Sequence, residues 1–216
     1  MSNTLNTVKG YLSPEILNEA SKYYNENEVG ISKAIHSMVP TILLGILQKC
    51  GDSHSIDDIF TRLRSFSPAI LDNLGNLLSS DNPMCQDKKD QSAKLVDSLL
   101  GAKAPAITNA IAAFSGVKPA TVSGLFGLVG PLVMGLLSKK ISDEGLNPST
   151  LVRDLLAQKN TLLSLLPSGV GSLIGIANAD QGNGTRDNNL IGGKSWVLLL
   201  LPLIVLAGLL YYWLKC

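Results

Sequence analysis

The chain has 216 residues, 45% of them hydrophobic and only 5% aromatic, so we expect a core of aliphatic side chains. With 18 basic and 17 acidic residues the net charge is +1, which excludes the basic excess typical of nucleic-acid-binding proteins, and we expect no nucleic acid partner. The three cysteines are far apart and no His/Cys cluster has zinc-ligand spacing, so we expect neither a disulfide framework nor a bound metal.

Helix start signals recur from the N-terminus onward. Ser13-Pro14 is an N-cap followed by a first-turn proline, and Ser67-Pro68 and Asn147-Pro148 repeat this pattern. The run Ser55-Ile56-Asp57-Asp58 has the spacing of a capping box. Since no segment alternates with period two for long enough to form a strand, the sequence predicts an all-α fold, an irregular multi-helix array.

The segment 31–49, ISKAIHSMVPTILLGILQK, predicts an amphipathic helix interrupted by a proline. Its apolar residues recur at i, i+3, i+4 and i+7, which places Pro40 on the opposite, more polar face. A proline gives no N–H to the carbonyl four residues earlier, here that of His36. We therefore expect Pro40 to face water, which would satisfy that carbonyl.

The segment 122–140, VSGLFGLVGPLVMGLLSKK, keeps the apolar stripe but is apolar on its back face as well. It is either the central helix of the body or a helix whose second face meets another surface. Because contiguous exposed apolar surface marks contact sites, we take the back face as the candidate interaction site. Its residues are Gly127, Leu128, Leu132, Met134 and Gly135.

Glycines at positions 124, 127 and 130 recur every third residue of this helix. Small residues let helix backbones approach closely, in soluble cores and in membranes. We expect them to pack against a neighbouring helix of the same body, with self-association and membrane insertion as the alternatives.

An internal repeat is suggested by a shift of 91 residues, which separates Pro14 from Pro105 and Pro40 from Pro131. We interpret it as a tandem duplication, with a first helical repeat at 1–80, a polar linker at 81–91 and a second helical repeat at 92–177. The following Gly/Asn/Asp-rich residues 178–194 predict a flexible tether.

The C-terminal segment 195–216 predicts a transmembrane anchor. Residues 196–214, WVLLLLPLIVLAGLLYYWL, carry no charge and would form about 28 Å of helix, the thickness of a bilayer core. Trp196 at one end and Tyr211, Tyr212 and Trp213 at the other lie where an interfacial aromatic belt is expected. Since the N-terminus lacks signal-peptide features, we expect the body to remain in the cytoplasm.

Signs of catalysis are poor. His36 and His54 have no obvious nucleophile or metal partner, and no GxSxG, Walker or HExxH motif occurs. We therefore expect a protein that is not an enzyme and that has no cofactor.

Several stretches together resemble the YidB-like domain, a bacterial family of unknown function found at the N-terminus of OmpA-like envelope proteins. They are LNTVKGYLSPEILNEAS, GISKAIHSMVPTILLGIL, AITNAIAAFSGV, GLFGLVGPLVMGLLSK and GLNPSTLVRDLLAQK. The resemblance implies an irregular all-α array and, in longer relatives, a periplasmic domain that grips peptidoglycan. We do not carry peptidoglycan binding over, because the 216 residues do not include such a domain.

These observations predict a membrane-anchored scaffold or assembly module at the bacterial inner membrane, binding a protein partner or forming a homo-oligomer. The alternative is a protein that remodels or permeabilises the bilayer by inserting its proline-kinked apolar helices. A third possibility is a carrier with an aliphatic pocket for a lipid or small molecule.

Overall fold

The computed structural model describes residues 4–51, 53–79 and 83–176. Within these ranges all regular structure is helical and no strand occurs, which confirms the all-α fold class. The helices are α1 (Thr4–Tyr11), α2 (Pro14–Tyr24), α3 (Glu28–Lys49), α4 (Ser53–Ser65), α5 (Asn76–Ser79), α6 (Pro83–Leu100), α7 (Ala104–Ser115), α8 (Pro119–Glu144), α9 (Pro148–Ser164) and α10 (Val170–Ile174). Short 3₁₀ turns occupy Pro68–Asn73 and Gly101–Lys103.

The predicted tether at 178–194 and the predicted anchor at 195–216 lie outside the described residues, and with them Trp196, Tyr211, Tyr212 and Trp213.

Two of the predicted helix starts are confirmed in detail. The Ser13 hydroxyl accepts a hydrogen bond from the backbone N–H of Ile16 at the start of α2. At α9, Asn147 and Thr150 exchange side-chain and backbone hydrogen bonds and form a capping box. The capping box expected at Ser55 is wrong, because α4 begins at Ser53 and Ser55 lies inside it.

The predicted linker at 81–91 is largely helical, because α6 begins at Pro83 and runs to Leu100. Its polar residues form the solvent face of an amphipathic helix. Gln86 donates to Asp90 over 3.1 Å and Gln91 donates to Asp87 over 2.8 Å, pairs at i and i+4 that support an exposed helix. Its other face buries Leu95, Val96 and Leu99 in the common core.

Helices α3 and α8 form the centre of the body and are buried on almost every side. Around them pack α2, α4, α6, α7 and α9. Among the described residues these are the two helices that pass a length and hydropathy test for membrane spans, yet 78% and 72% of their most apolar windows are buried within the body. The core helices of soluble proteins are often as long and as apolar, so these two properties indicate a membrane span only weakly.

The expectation that Pro40 faces water is wrong, because Pro40, Ser37 and Thr41 are all buried. This face of α3 is covered by the end of α6: a Cβ placed on Gly45 would lie 3.4 Å from Leu99 Cβ. The hydroxyls need no water, since Ser37 donates to the Ala34 carbonyl and Thr41 to the Ser37 carbonyl over 2.8 and 2.7 Å.

The corner between α2 and α3 lies against the corner between α7 and α8. Glu26 Oε1 accepts hydrogen bonds from the backbone N–H of Lys118 at 3.0 Å and from the hydroxyl of Thr121 at 3.1 Å. The carboxylate therefore caps the N-terminus of α8 from a position 92 residues earlier, where the helix dipole favours a negative charge. The Lys118 N–H bond is the main reason that the pKa of Glu26 lies below its usual value.

Candidate interaction site

The predicted interaction residues on α8 do not form a free surface. Leu128, Leu132 and Met134 are 2%, 0% and 2% exposed, and Gly135 is buried as well. A Cβ on Gly135 would lie 2.8 Å from Ile70 Cγ2, because the 3₁₀ turn Pro68–Asn73 packs directly on this part of the helix. The expectation of an exposed apolar face is therefore wrong for these four residues, and α8 is the central helix of the body.

The glycines of α8 divide into two kinds. Gly124 and Gly130 pack closely against other helices of the body: a Cβ on Gly124 would lie 2.7 Å from the Tyr24 ring, and one on Gly130 would lie 3.0 Å from Ser92 Oγ. For these two, close packing within the same body is confirmed. Gly127 differs, because it is half-buried and a Cβ there would meet no atom within 4 Å.

Gly127 opens onto a groove of about 540 Å³ between α6, α7 and α8, which we call the α6–α8 groove. Much of its wall consists of small residues: Ala93, Ala104, Ala120, Ser123, Gly124 and Gly127. Val96, Leu100 and Phe126 add larger apolar contacts, and Lys89, Asp90 and Asp97 bring charges of both signs. The volume falls within the range of about 300–1,000 Å³ found for ligand sites.

Four of the six residues that α8 contributes to this groove share one stripe of the helix, and the other two, Pro119 and Phe126, lie to one side of it. Ala120, Ser123, Gly124 and Gly127 are spaced i, i+3, i+4 and i+7, so they lie on one face. A face of small side chains leaves the backbone accessible to a neighbouring helix. The lining offers apolar contacts and a few hydrogen-bonding groups, among them Thr108 and Asn109, and is therefore suited to binding.

The sequence singled out two residues of this site, Gly124 and Gly127, by their spacing, and the others were not foreseen. Only the first part of α6 was interpreted as a linker; Ala93, Val96 and Leu100 were placed in the second helical repeat, but their position beside α7 and α8 was not predicted. The detectable signal was the amphipathic pattern of α6 itself, whose buried Leu95, Val96 and Leu99 recur at helical spacing.

No group of three or more His, Cys, Asp or Glu side chains suited to a metal ion occurs among the described residues. His36 is exposed, and its Nδ1 lies 2.7 Å from the Ser32 carbonyl oxygen of its own helix. His54 lies in α4, but its side chain falls outside what the structure describes.

The comparisons with known proteins give a family and nothing more specific. A family model described as a bacterial protein of unknown function, DUF937, matches residues 6–140. The match agrees, at the level of a bacterial domain of unknown function, with the resemblance to the YidB-like domain. No curated protein and no solved structure matches the chain. The matched region contains all of α3 and most of α8, the two helices that form the core.

Proposed function

The chain belongs to the DUF937 family of bacterial proteins of unknown function. We propose that it is a membrane-anchored interaction module of the bacterial envelope. In this proposal the α6–α8 groove binds a helix of a partner protein. The observation that carries it is the groove itself, a cavity of about 540 Å³ whose lining includes six Gly, Ala or Ser residues beside larger apolar and charged ones.

A helix fits this groove better than an extended peptide or a flat protein surface. Helix axes pack about 8–10 Å apart, and the smallest separations need small residues at the contact. Ala120, Ser123 and Gly127 supply such residues along two turns of α8. Gly124, on the same stripe, is already packed against Tyr24. Apolar lining residues with charged neighbours also match the apolar centre and polar rim of protein interfaces.

Membrane attachment is supported by the sequence of 196–214, which has no charged residue and is flanked by Lys194 and Lys215. We propose that this segment anchors the body to the bacterial inner membrane and that the body faces the cytoplasm. Sedimentation of the full chain with membranes after carbonate washing, and its loss on removal of 195–216, is the expected result. A protein found in the soluble fraction in both forms would contradict the anchor.

The groove is tested by photocrosslinking in the native host membrane. The photoreactive residue p-benzoylphenylalanine replaces Ala120 in the groove or, as a matched control, Ser142 on the exposed side of the same helix. We expect an adduct of one defined mass from position 120, mapped by mass spectrometry to a helical segment of another protein. The Ser142 position should not give this adduct.

A groove-filling substitution sharpens this experiment. Gly127→Leu places a side chain into space that contains no atom within 4 Å of the new Cβ, so the body should keep its fold. Combined with the photoreactive residue at 120, it should remove the adduct. An adduct that persists, an equal adduct from position 142, or no adduct at position 120 would contradict binding in the groove. A dimer of the chain itself would make a second copy the occupant.

We also propose that the body arose by tandem duplication. Three pairs of features lie 91 residues apart in the structure: the starts of α3 and α8 at Glu28 and Pro119, the left-handed C-caps Asn25 and Gly116, and the helix-interior prolines Pro40 and Pro131. Equal spacing of helix starts, caps and kinks is what a duplicated helix-turn-helix would retain. An experimental structure in which α2–α3 fails to superimpose on α7–α8 would contradict the duplication.

The alternative function is membrane insertion by α3 and α8, which is supported only by their length and hydropathy. Insertion would require these helices to leave the core in which most of their surface is buried. Flotation of residues 1–190 with liposomes separates the two functions. A fragment that stays in solution supports the anchored module, and one that floats supports insertion.

A further inference from the structure

A second, smaller pocket of about 330 Å³ lies at the C-terminal end of α3, beside α9 and the end of α10. We call it the end pocket. Its apolar lining comprises Leu47, Cys50, Val152, Leu156 and Ile176, and its remaining lining residues are Gln48, Gly51, Lys159 and Gly175. Leu156 is 51% exposed, so the apolar lining reaches the protein surface.

The charge at this pocket is of one sign. Lys159 is the single charged residue in the lining. A second lysine lies near Gly175, which lines the same pocket: a Cβ on Gly175 would be 3.9 Å from Lys103 Nζ and 3.4 Å from Gln48 Nε2. Among the residues that the structure describes, neither Lys103 nor Lys159 forms an ion pair within 4 Å. The described residues at this pocket thus include two ammonium groups and an amide but no carboxylate.

The glycine at 175 keeps this arrangement open. Its φ of +89° is a left-handed conformation that side chains disfavour, and its N–H closes the last turn of α10 by bonding to the Gly171 and Ser172 carbonyls. The turn brings Ile176 into the pocket lining. Ile176 is also the last residue described before the stretch that contains the uncharged segment 196–214.

We infer that the end pocket binds one anionic phospholipid, with part of an acyl chain against the apolar lining and the phosphate between Lys103 and Lys159. A lysine in the lining, a second lysine near Gly175 and an apolar floor are complementary to a molecule that joins one negative headgroup to a hydrocarbon chain. The pocket volume, at the low end of ligand sites, suits a portion of one chain rather than a whole lipid. This inference rests on the proposed membrane anchor, which would keep the body close to such lipids.

The experiment uses the full chain in a neutral detergent and, separately, in phosphatidylcholine liposomes. The probe is a short-chain phosphatidylglycerol with a diazirine at the end of one acyl chain, and the same diazirine on phosphatidylcholine is the headgroup control. After irradiation, labelled peptides are mapped by mass spectrometry. We expect the anionic probe to label the peptides that contain Leu47 and Cys50 or Val152 and Leu156.

Paired lysine variants test the charge. The double variant Lys103→Gln/Lys159→Gln should lower labelling by the anionic probe by about tenfold, since two cations near a lipid phosphate are lost. The matched control Lys22→Gln/Lys94→Gln removes two exposed lysines on α2 and α6 and should leave labelling unchanged. Both double variants should melt like the parent, because none of the four lysines is buried.

Each other result overturns the lipid site. Equal labelling by the two headgroups, labelling that survives Lys103→Gln/Lys159→Gln, or no labelled peptide from the pocket would contradict it. Loss of labelling in the presence of excess glycerol phosphate would make a soluble phosphate the ligand and would also overturn it. Anchoring is read separately, by sedimentation with the liposomes. A chain labelled in detergent that does not sediment would refute the anchor alone, and one that sediments without label would refute the lipid site alone.

Discussion

Lys140 Nζ and Asp154 Oδ2 lie 2.6 Å apart, with side chains only 8% and 5% exposed, and join the end of the central helix α8 to α9. The Asp154 carboxylate also accepts a hydrogen bond from the side-chain amide of Gln158 at 3.1 Å. A buried charge is costly to leave without its counter-charge, whereas the intact pair adds little beyond what apolar residues of similar size would give. The pair therefore constrains where α9 lies relative to the end of α8, while most of the packing of α9 is on α3.

The first prediction concerns this pair. Asp154→Ala should lower the free energy of unfolding by about 3–5 kcal/mol, because the Lys140 ammonium stays buried without its carboxylate. The double variant Lys140→Met/Asp154→Leu should regain most of that loss. Urea denaturation followed by circular dichroism measures both. The control Asp143→Ala breaks the exposed pair with Lys139 and should change the unfolding free energy by less than about 1 kcal/mol. Equal effects of Asp154→Ala and Asp143→Ala would show that the buried pair has no special role.

The second prediction concerns pH and Glu26. The pKa of this carboxyl is lowered in the folded protein, chiefly by the Lys118 N–H, so its ionised form stabilises the fold. That contribution is fully present above the ordinary value of about 4.5 and is lost as pH falls through the lower folded value. Glu26→Gln should therefore melt at a lower temperature than the parent at neutral pH, and the difference should shrink on acidification below about pH 4.5.

Glu144→Gln, an exposed position at the last residue of α8, is the control for this experiment and should show no such convergence. A melting difference between Glu26→Gln and the parent that stays constant from neutral to acid pH would mean that the charge of Glu26 does not act as the cap. The experiment thus isolates one link between the α2–α3 corner and the start of α8.

The third prediction compares two helix glycines. Gly127→Ala should raise the unfolding free energy by about 0.5–1 kcal/mol, because alanine is favoured in a helix and its Cβ meets nothing within 4 Å. Gly30→Ala places a Cβ 2.7 Å from Val117 Cγ1 and 3.1 Å from the Ser115 carbonyl oxygen, and this overpacking should cost about 1–3 kcal/mol. Thermal and chemical unfolding of the two variants should move in opposite directions. If Gly30→Ala stabilised the protein as well, the α2–α3 corner and the α7–α8 corner could move apart at little cost.

Helix α3 shows most clearly how much of the structure can be predicted from the sequence. Its apolar stripe was predictable, because hydrophobic periodicity reports the face that enters the core. Its start was not, since the helix begins at Glu28, three residues before the predicted segment 31–49, with Asn27 as its N-cap. The burial of the opposite face was not, because Ser37 and Thr41 are polar in composition yet satisfy their hydroxyls on carbonyls of their own helix. The periodicity of a sequence shows which side chains are polar. It does not show which of them form hydrogen bonds within the helix that offset the free-energy cost of burying them.

The two main errors share one cause. The residues taken for a linker form the first half of α6, and its second half, which was placed in the second helical repeat, covers α3 at Gly45. Because 83–100 was not recognised as one continuous helix, the Pro40 face of α3 had no visible partner and was expected to meet water. The α6–α8 groove was missed for the same reason, since a surface built by three helices exists only when all three are placed.

The last prediction tests whether the α8 back face is core or contact surface. Leu132→Ala should lower the unfolding free energy by about 2–5 kcal/mol, because Leu132 is fully buried and its truncation leaves a cavity. Leu165→Ala removes the same atoms at a site that is 41% exposed and should change stability by about 0.5 kcal/mol at most. Both full-length variants are then run on a sizing column in the same detergent as the parent. If Leu132→Ala keeps the parent's stability but changes its oligomeric state, the back face is a contact surface. A large loss of stability with an unchanged elution volume places Leu132 in the core and leaves the α6–α8 groove as the proposed interaction site.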